Sequence, residues 1–307
     1  MDYTLHQLRI FHKIAQVQSV TKAAEELFLT QPAISIQLKK FQEQFSVPLF
    51  EIVGRQLYIT DFGKEIAETA EKILNEVQAI NYKTLTYKNQ LAGRLKVSVV
   101  STGKYVMPYF LSEFMNHNRG VDLVMDVTNK TRVIESLERN EVDFSLVSVV
   151  PDQLKAERVP LLKNKLYLVG SPQLKVEAKD KKMGFLKKYP LIYREEGSAT
   201  RNAMEEFIQS RSISTYKKLE LTSNEAVKQA VIAGLGYSIM PLIGLKNELK
   251  SHQLEIIPLK GLPIITQWNL IWMKSKNLSP VAKAYLEHIE QNKDQLIGQH
   301  FDWYEKY

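Results

Sequence analysis

Hydroxyl, amide and guanidinium side chains gather at three places in this chain: Ser101 with Thr102, Ser198 with Thr200 and Arg201, and Ser223 with Asn224. Each group falls where a helical pattern begins. There a hydroxyl caps free N–H groups and partial positive charge accumulates. Taken singly, each reads as an ordinary N-cap. Should the fold bring them into one cleft, with Thr128, they would suit a small anionic or polar molecule. In that cleft Arg201 supplies a full charge and a two-pronged grip on carboxylate or phosphate, unless a neighbouring Glu195 or Glu196 claims it first. A different chemistry is offered near the N-terminus by Thr30, Gln31, Pro32, Ser35, Gln37, Lys39 and Lys40. Gln reads adenine edges with two hydrogen bonds, Ser contacts phosphate or base, and Lys contacts phosphate. One polar helix face is only a solvated face, so the weight rests on the ordered set.

Enzymatic constellations are missing from the sequence. No G-x-S-x-G elbow is present, and the six histidines, at 6, 12, 117, 252, 288 and 300, are scattered without metal-ligand spacing. Gly234 and Gly236 follow a helical run, where they stop the helix, and form no dinucleotide fingerprint after a strand. The absence of cysteine removes disulfides, thiolate metal sites and cysteine nucleophiles. The expectation is a binding protein without catalytic residues, cofactor or metal.

The elements that must position these residues differ between the two ends of the chain. Leu5, Leu8, Ile10, Phe11, Ile14, Ala15 and Val17 recur at helical spacing, and Gln18-Ser19 closes that helix and caps the next, over 20–27. Residues 28–30 form a tight connection to a third helix over 31–45, with Pro32 in its first turn and Ile34, Leu38 and Phe41 inward. A helix, a tight turn and a second helix is the arrangement that sets the second helix into a major groove. Residues 47–60 read as a small hairpin turning at Gly54-Arg55, with Arg55 placed to reach phosphate or a minor groove. Thr60 then caps a long helix over 61–87, along which Phe62, Ile66, Ala70, Ile73, Val77 and Ile80 form a narrow stripe. Such a stripe seeks a partner helix, and Ile66, Ile73, Val77 and Ile80 are the candidate dimer contacts. The alternative is a helix packed on its own domain. From Gly93 onward strands at 95–100, 121–127, 143–149, 165–170, 218–222 and 237–240 alternate with helices at 107–115, 131–139, 199–210 and 225–233. That alternation predicts α/β units with largely parallel sheets and a ligand at the strands' carboxyl ends.

At 307 residues the chain is expected to hold a small domain and a larger one. Its net charge of +7 invites a nucleic-acid partner, yet residues 1–90 carry ten basic and ten acidic side chains, so the excess lies elsewhere. Basic runs at 179–182 and at 187–188 read as solvated surface. No apolar run approaches the roughly 20 residues that cross a bilayer, and the first residues lack an export pattern, so a cytoplasmic location away from membranes is expected.

The run Phe11, Ala15, Ser19, Ala23-Ala24, Leu27, Thr30-Gln31-Pro32-Ala33-Ile34-Ser35, Gln37-Leu38, Phe41-Gln42, Phe45, Pro48-Leu49-Phe50-Glu51, Gly54-Arg55, Leu57, Thr60 and Gly63 closely resembles the LysR-type transcriptional regulators. Ile36 stands where many relatives carry Arg or Lys, and Gln42 where Glu is common. The stretches at 193–201 and 223–236 resemble the branch that regulates carbon-fixation operons, together with its cysteine-metabolism relatives. The resemblance implies an α/β protein with a winged helix-turn-helix over 1–60, a dimerising linker helix over 61–89 and a two-lobed effector domain over 92–307, like a periplasmic binding protein. One lobe is expected over 92–163 and 267–300 and the other over 164–266, with crossings near Asn164 and Thr266. It also implies promoter DNA as partner, a small-molecule effector, a homo-oligomer that pairs dimers into a tetramer, and RNA polymerase as a further candidate partner. A solute receptor of the transport class shares the two lobes but would be exported and would lack residues 1–60. The tail from His300 to Tyr307 has no reading.

Overall fold

Local capping sets the N-terminal unit. The computed structural model describes residues 2–54, 56–86, 90–174, 186, 189–212 and 217–307, and the chain divides into one unit over 1–90 and another over 91–307. In the first, Thr4 and Gln7 exchange hydrogen bonds, the Thr4 N–H donating to Oε1 at 2.8 Å and the Gln7 N–H to Oγ1 at 3.3 Å, and this box starts α1 (Leu5–Val17). Ser19 caps α2 (Val20–Glu26), and Thr30 caps α3 (Gln31–Gln42) with Pro32 in the first turn. Phe11, Ile14, Ala23, Ile34, Leu38 and Phe41 form the core where the three helices meet.

The third helix is shorter than its periodicity predicts. It stops at Gln42 because that side chain is spent on the following loop: Nε2 donates to the Val47 carbonyl at 3.3 Å, and Oε1 accepts from the Leu49 N–H at 2.6 Å. Phe45, no longer helical, packs against Tyr3, Phe41 and Phe62. A hairpin of β1 (Phe50–Val53) and β2 (Gln56–Ile59) follows. Thr60 then donates to the Pro48 carbonyl at 2.7 Å and accepts from the Gly63 N–H at 3.0 Å, opening α4 (Asp61–Thr86). Gly63 must be glycine, since a Cβ there would overlap the Leu49 carbonyl.

The stripe on α4 divides. Ala67 and Ala70 are buried, and Phe62, Ile66 and Ile73 pack on the same core, with His12 Nδ1 3.3 Å from the Ala67 carbonyl oxygen. Ile66 and Ile73, both half-buried, therefore serve the unit's own interior in part. The first turns of α4 lie on α1, which claims the apolar face before a partner helix can. Val77 is half-buried and Ile80 exposed.

In the second unit, β3 (Ala92–Val100), α5 (Met107–His117), β4 (Gly120–Thr128), α6 (Lys130–Glu138) and β5 (Phe144–Val147) form parallel α/β units, with β3 central. The long β6 (Ala156–Gly170) leads into β7 (Leu191–Arg194), α7 (Ala199–Ser210), β8 (Lys218–Leu221), α8 (Asn224–Ile232), β9 (Ser238–Pro241), α9 (Lys246–Lys250) and β10 (Glu255–Ile256). The chain returns on β11 (Ile264–Met273) and ends in α10 (Pro280–Phe301) and a tight turn over Asp302–Lys306. The seven-stranded sheet has the order β10-β6-β11-β5-β3-β4, with β9 also on β6, while β7 and β8 make a parallel pair.

The sheets are mixed where parallel ones were expected. Because β6 leaves the first half, the part built on β3 to β5, for the second, built on β7 to β9, and β11 comes back beside it, these strands pair antiparallel, and β9 and β10 join β6 in the same sense. Asn164 faces Thr266 in that pairing, and their side chains bond at 3.0 Å. One large core runs from β3 and α5 into α8 and the turn at Leu242, so the halves adjoin through packed apolar side chains. A smaller core lies beneath α7 and β7.

Candidate effector site and nucleic-acid interface

Ser101 follows β3 and Asn224 begins α8, so one comes from each half. The Asn224 amide donates to Ser101 Oγ at 3.3 Å. Arg194, the last residue of β7, donates to the same oxygen from Nη2 at 3.1 Å. Its guanidinium is 4% exposed and is oriented by Glu195 through a fork, Nε to Oε2 at 2.7 Å and Nη2 to Oε1 at 2.6 Å. Two buried atoms here, Arg194 Nη1 and Asn224 Oδ1, have no hydrogen-bond partner among the described residues. A buried polar atom without a partner costs roughly 1–3 kcal/mol, so Nη1 favours a ligand group that accepts a hydrogen bond and Oδ1 one that donates.

Thr102, next to Ser101, and Ser198 and Thr200, at the start of α7, are buried, and Thr128 ends β4 opposite Val100 at the carboxyl end of β3. Ser198 precedes α7 but its side chain makes no cap bond, whereas Ser223 accepts from the Ala226 N–H at 3.0 Å and caps α8. A cavity of about 10 Å³, room for about one water, lies among Thr102, Tyr105, Asn224 and Lys228. The site is closed, with protein groups bonded to one another across it.

Arg201 lines a small pocket with Arg194, Thr200 and Asn224, but its described hydrogen bonds go elsewhere. Its Nε donates to Glu205 at 2.9 Å and its Nη1 to Glu220 at 2.8 Å, while Glu196 lies 3.5 Å from Nη2. Nη1 also donates to the carbonyl of Arg194 at 3.2 Å. Although burial lowers the affinity of Arg201 for its proton, Glu205 and Glu220 outweigh that and raise its pKa above the ordinary value. Glu205 and Glu220 hold the charge expected for a ligand, as Glu195 holds that of Arg194, and it is Arg194 that reaches across to Ser101. Its signal was available, since Arg194 stands in the same motif as Arg201 and beside an acidic residue. Which of the two a carboxylate would occupy depends on Glu205 and Glu220, one helical turn and one strand away.

In the first unit, α3 presents Gln31, Pro32, Lys39 and Lys40 in full exposure, with Ser35 and Gln37 half-buried beside them. Thr30 spends its hydroxyl on the Ala33 N–H at 3.4 Å. Ile36 is 56% exposed on the same helix. Arg55 and the basic runs at 179–182 and 187–188 lie outside the described residues. Among the described residues no three His, Cys, Asp or Glu side chains are grouped to hold a metal, and no helix is long and apolar enough to cross a membrane.

Two family descriptions match the chain: the bacterial regulatory helix-turn-helix of the lysR family over residues 5–64, and the LysR substrate binding domain over 88–294. The chain belongs to the LysR family. It is therefore a DNA-binding transcriptional regulator with an effector-binding domain, of a family that regulates transcription and does not catalyse reactions. This LysR-family chain is 36% identical over 288 residues to the HTH-type transcriptional activator CmpR of Synechocystis, covering 93% of this chain and 94% of that one. It is 33% identical over 290 residues to the RuBisCO operon transcriptional regulator of Allochromatium vinosum, covering 94% and 96%. These are carbon-fixation regulators, and the cysteine-metabolism part of the expected resemblance finds no support in them. The regulatory domain of Synechocystis CcmR, solved in complex with 2-PG, superposes with a TM-score of 0.61 at 29% identity, covering 66% of this chain and 97% of that one. Full-length CbnR, solved on its target DNA, shares the fold, with a TM-score of 0.69 at 18% identity over 94% of this chain and 99% of that one.

Proposed function

We propose that this LysR-family regulator binds promoter DNA under the control of a small anionic metabolite held between the two halves of residues 91–307. The observation that carries the reading is the buried Arg194, bonded to Ser101 of the other half while its Nη1 has no partner among the described residues. An oxyanion inserted there accepts from Nη1 and Nη2 together, and Ser101, Thr102 and Asn224 supply further donors from both sides. Thr128, Ser198 and Thr200 complete the wall. Arg201 acts on the ligand through Arg194, whose carbonyl it holds. A neutral apolar ligand leaves these donors unpaired. The CcmR domain carries 2-PG, and this chain's cation and hydroxyls suit a ligand of that charge.

Because protein groups bridge the halves, the ligand must replace the Arg194–Ser101 contact, and it favours whichever arrangement accommodates it. A tenfold preference for one arrangement is worth about 1.4 kcal/mol, enough to alter how the regulator engages a promoter. On the DNA side Gln31 and Ser35 read bases, Thr30, Lys39 and Lys40 hold phosphate, Ile36 offers an apolar contact to a thymine methyl, and Arg55 serves the hairpin tip. The turns of α4 that carry Val77 and Ile80 pair two chains, and two such dimers assemble on the promoter in the cytoplasm.

Thermal-shift screening of organic acids, phosphorylated sugars including 2-PG, and neutral compounds tests the reading. Anions are expected to stabilise the native chain, and Arg194→Ala and Thr102→Ala to lose about tenfold in anion affinity. Stabilisation by neutral compounds alone, or equal stabilisation of all three proteins by anions, would overturn it.

A further inference from the structure

The small cavity behind Thr102 shares Tyr105, Lys228 and Gly244 with a much larger one of about 410 Å³. That volume lies in the range of small-molecule sites, roughly 300–1,000 Å³. It contains none of Ser101, Arg194 or Asn224. Its walls come from the turn after β3, the start of α5, the segment leading into α9, and the tail whose sequence gave no reading.

The tail is held in place. The Lys165 N–H donates to the Tyr304 hydroxyl at 2.8 Å, and Lys165 Nζ reaches the Tyr304 carbonyl, Glu305 and the Tyr307 carbonyl at 3.1–3.2 Å. This fixes Trp303 at the cavity edge. Gly244 has no side chain because a Cβ would press on the Tyr105 ring at 2.9 Å. Tyr109 and His300 stand with ring centroids 4.9 Å apart.

The charges in the wall are unequal. Lys228, 9% exposed, is bound by Glu248 at 2.7 Å and Glu225 at 3.0 Å. Burial works against its charge, yet the two carboxylates raise its pKa above the ordinary value, so it neutralises Glu248. Lys104 and Lys246 lie over rings, 5.1 Å from the centroid of Tyr105 and 5.2 Å from that of Trp303. Both are exposed at the cavity.

We propose that this cavity is a second ligand site, for an aromatic or heteroaromatic ring bearing a carboxylate or phosphate, with Lys104 and Lys246 taking the charge and Tyr109, His300 and Trp303 the ring. A ring without charge leaves the ammonium groups unmatched, and an anion without a ring leaves the aromatic wall in water. The assignment stands apart from the effector reading, because it uses none of Ser101, Arg194 and Asn224.

Isothermal titration of the full chain with phenyl phosphate, using inorganic phosphate and phenol as half-ligands, tests it. Phenyl phosphate is expected to bind about tenfold more tightly than either half-ligand, with Lys246→Ala and Trp303→Leu each weakening it about fivefold and Ser101→Ala leaving it unchanged. Trp303→Leu disturbs the tail, so Lys246→Ala, an exposed position, decides the matter should the other variant not fold. Equal binding of phenyl and inorganic phosphate, undiminished binding by Lys246→Ala, or a loss in Ser101→Ala as large as in Lys246→Ala would each overturn the proposal. A parallel titration with 2-PG reads the effector site separately, and its failure leaves the phenyl phosphate result intact.

Discussion

Two arginines seven residues apart take opposite parts. Arg194 ends a strand, forked onto Glu195 but with its buried Nη1 lacking a partner among the described residues, and Arg201 opens a helix among three carboxylates. Removing Arg201 leaves Glu205 and Glu220 without their cation and frees the Arg194 carbonyl. Arg201→Ala is accordingly expected to cost about 1–3 kcal/mol of stability, a range discounted because Glu196 and Glu220 face water. Denaturant titration measures this, and an Arg201→Ala protein as stable as the native chain would contradict the structural role. Residue types at the site were legible from sequence, since Ser101, Thr102 and Asn224 fall at element starts. The division of labour between the arginines was not, because Glu220 reaches Arg201 only when β8 pairs with β7.

At the level of elements, capping signals carried the N-terminal unit. Ser19, Thr30 and Thr60 each do what a polar residue before an apolar-periodic run predicts. Periodicity was less reliable as a guide to partners. A stripe such as Phe62, Ile66, Ala70, Ile73 and Val77 looks the same whether it meets its own domain or a second chain, and only the placement of α1 separates the two. Ile73→Glu is therefore expected to destabilise the winged unit by about 2–4 kcal/mol by putting a charge against its core. Val77→Glu is expected to spare that unit and separate dimers. Melting curves and light scattering distinguish these outcomes. A stable but monomeric Ile73→Glu protein would assign that residue to the dimer contact. The mixed sheet escaped the sequence for a related reason: nothing in the composition of 156–170 or 264–273 records that one strand leaves a half and the other returns.

On the scale of the whole molecule, the proposed effector acts through the closed contact between halves. Arg194 and Asn224 both reach Ser101 Oγ from the second half, so an anion that takes their place alters how strongly the halves are joined. Under the proposed mechanism, a modest difference in anion affinity between two states is enough to change the hold on DNA. The most direct measurement is nuclease footprinting of the full chain on the promoter region beside its own gene, with and without the anion that stabilises it most. The native chain is expected to change its footprint on adding the anion, and Arg194→Ala to protect the same region in a pattern the anion does not alter. A native footprint indifferent to every stabilising anion, or one that shifts identically in Arg194→Ala, would contradict the account.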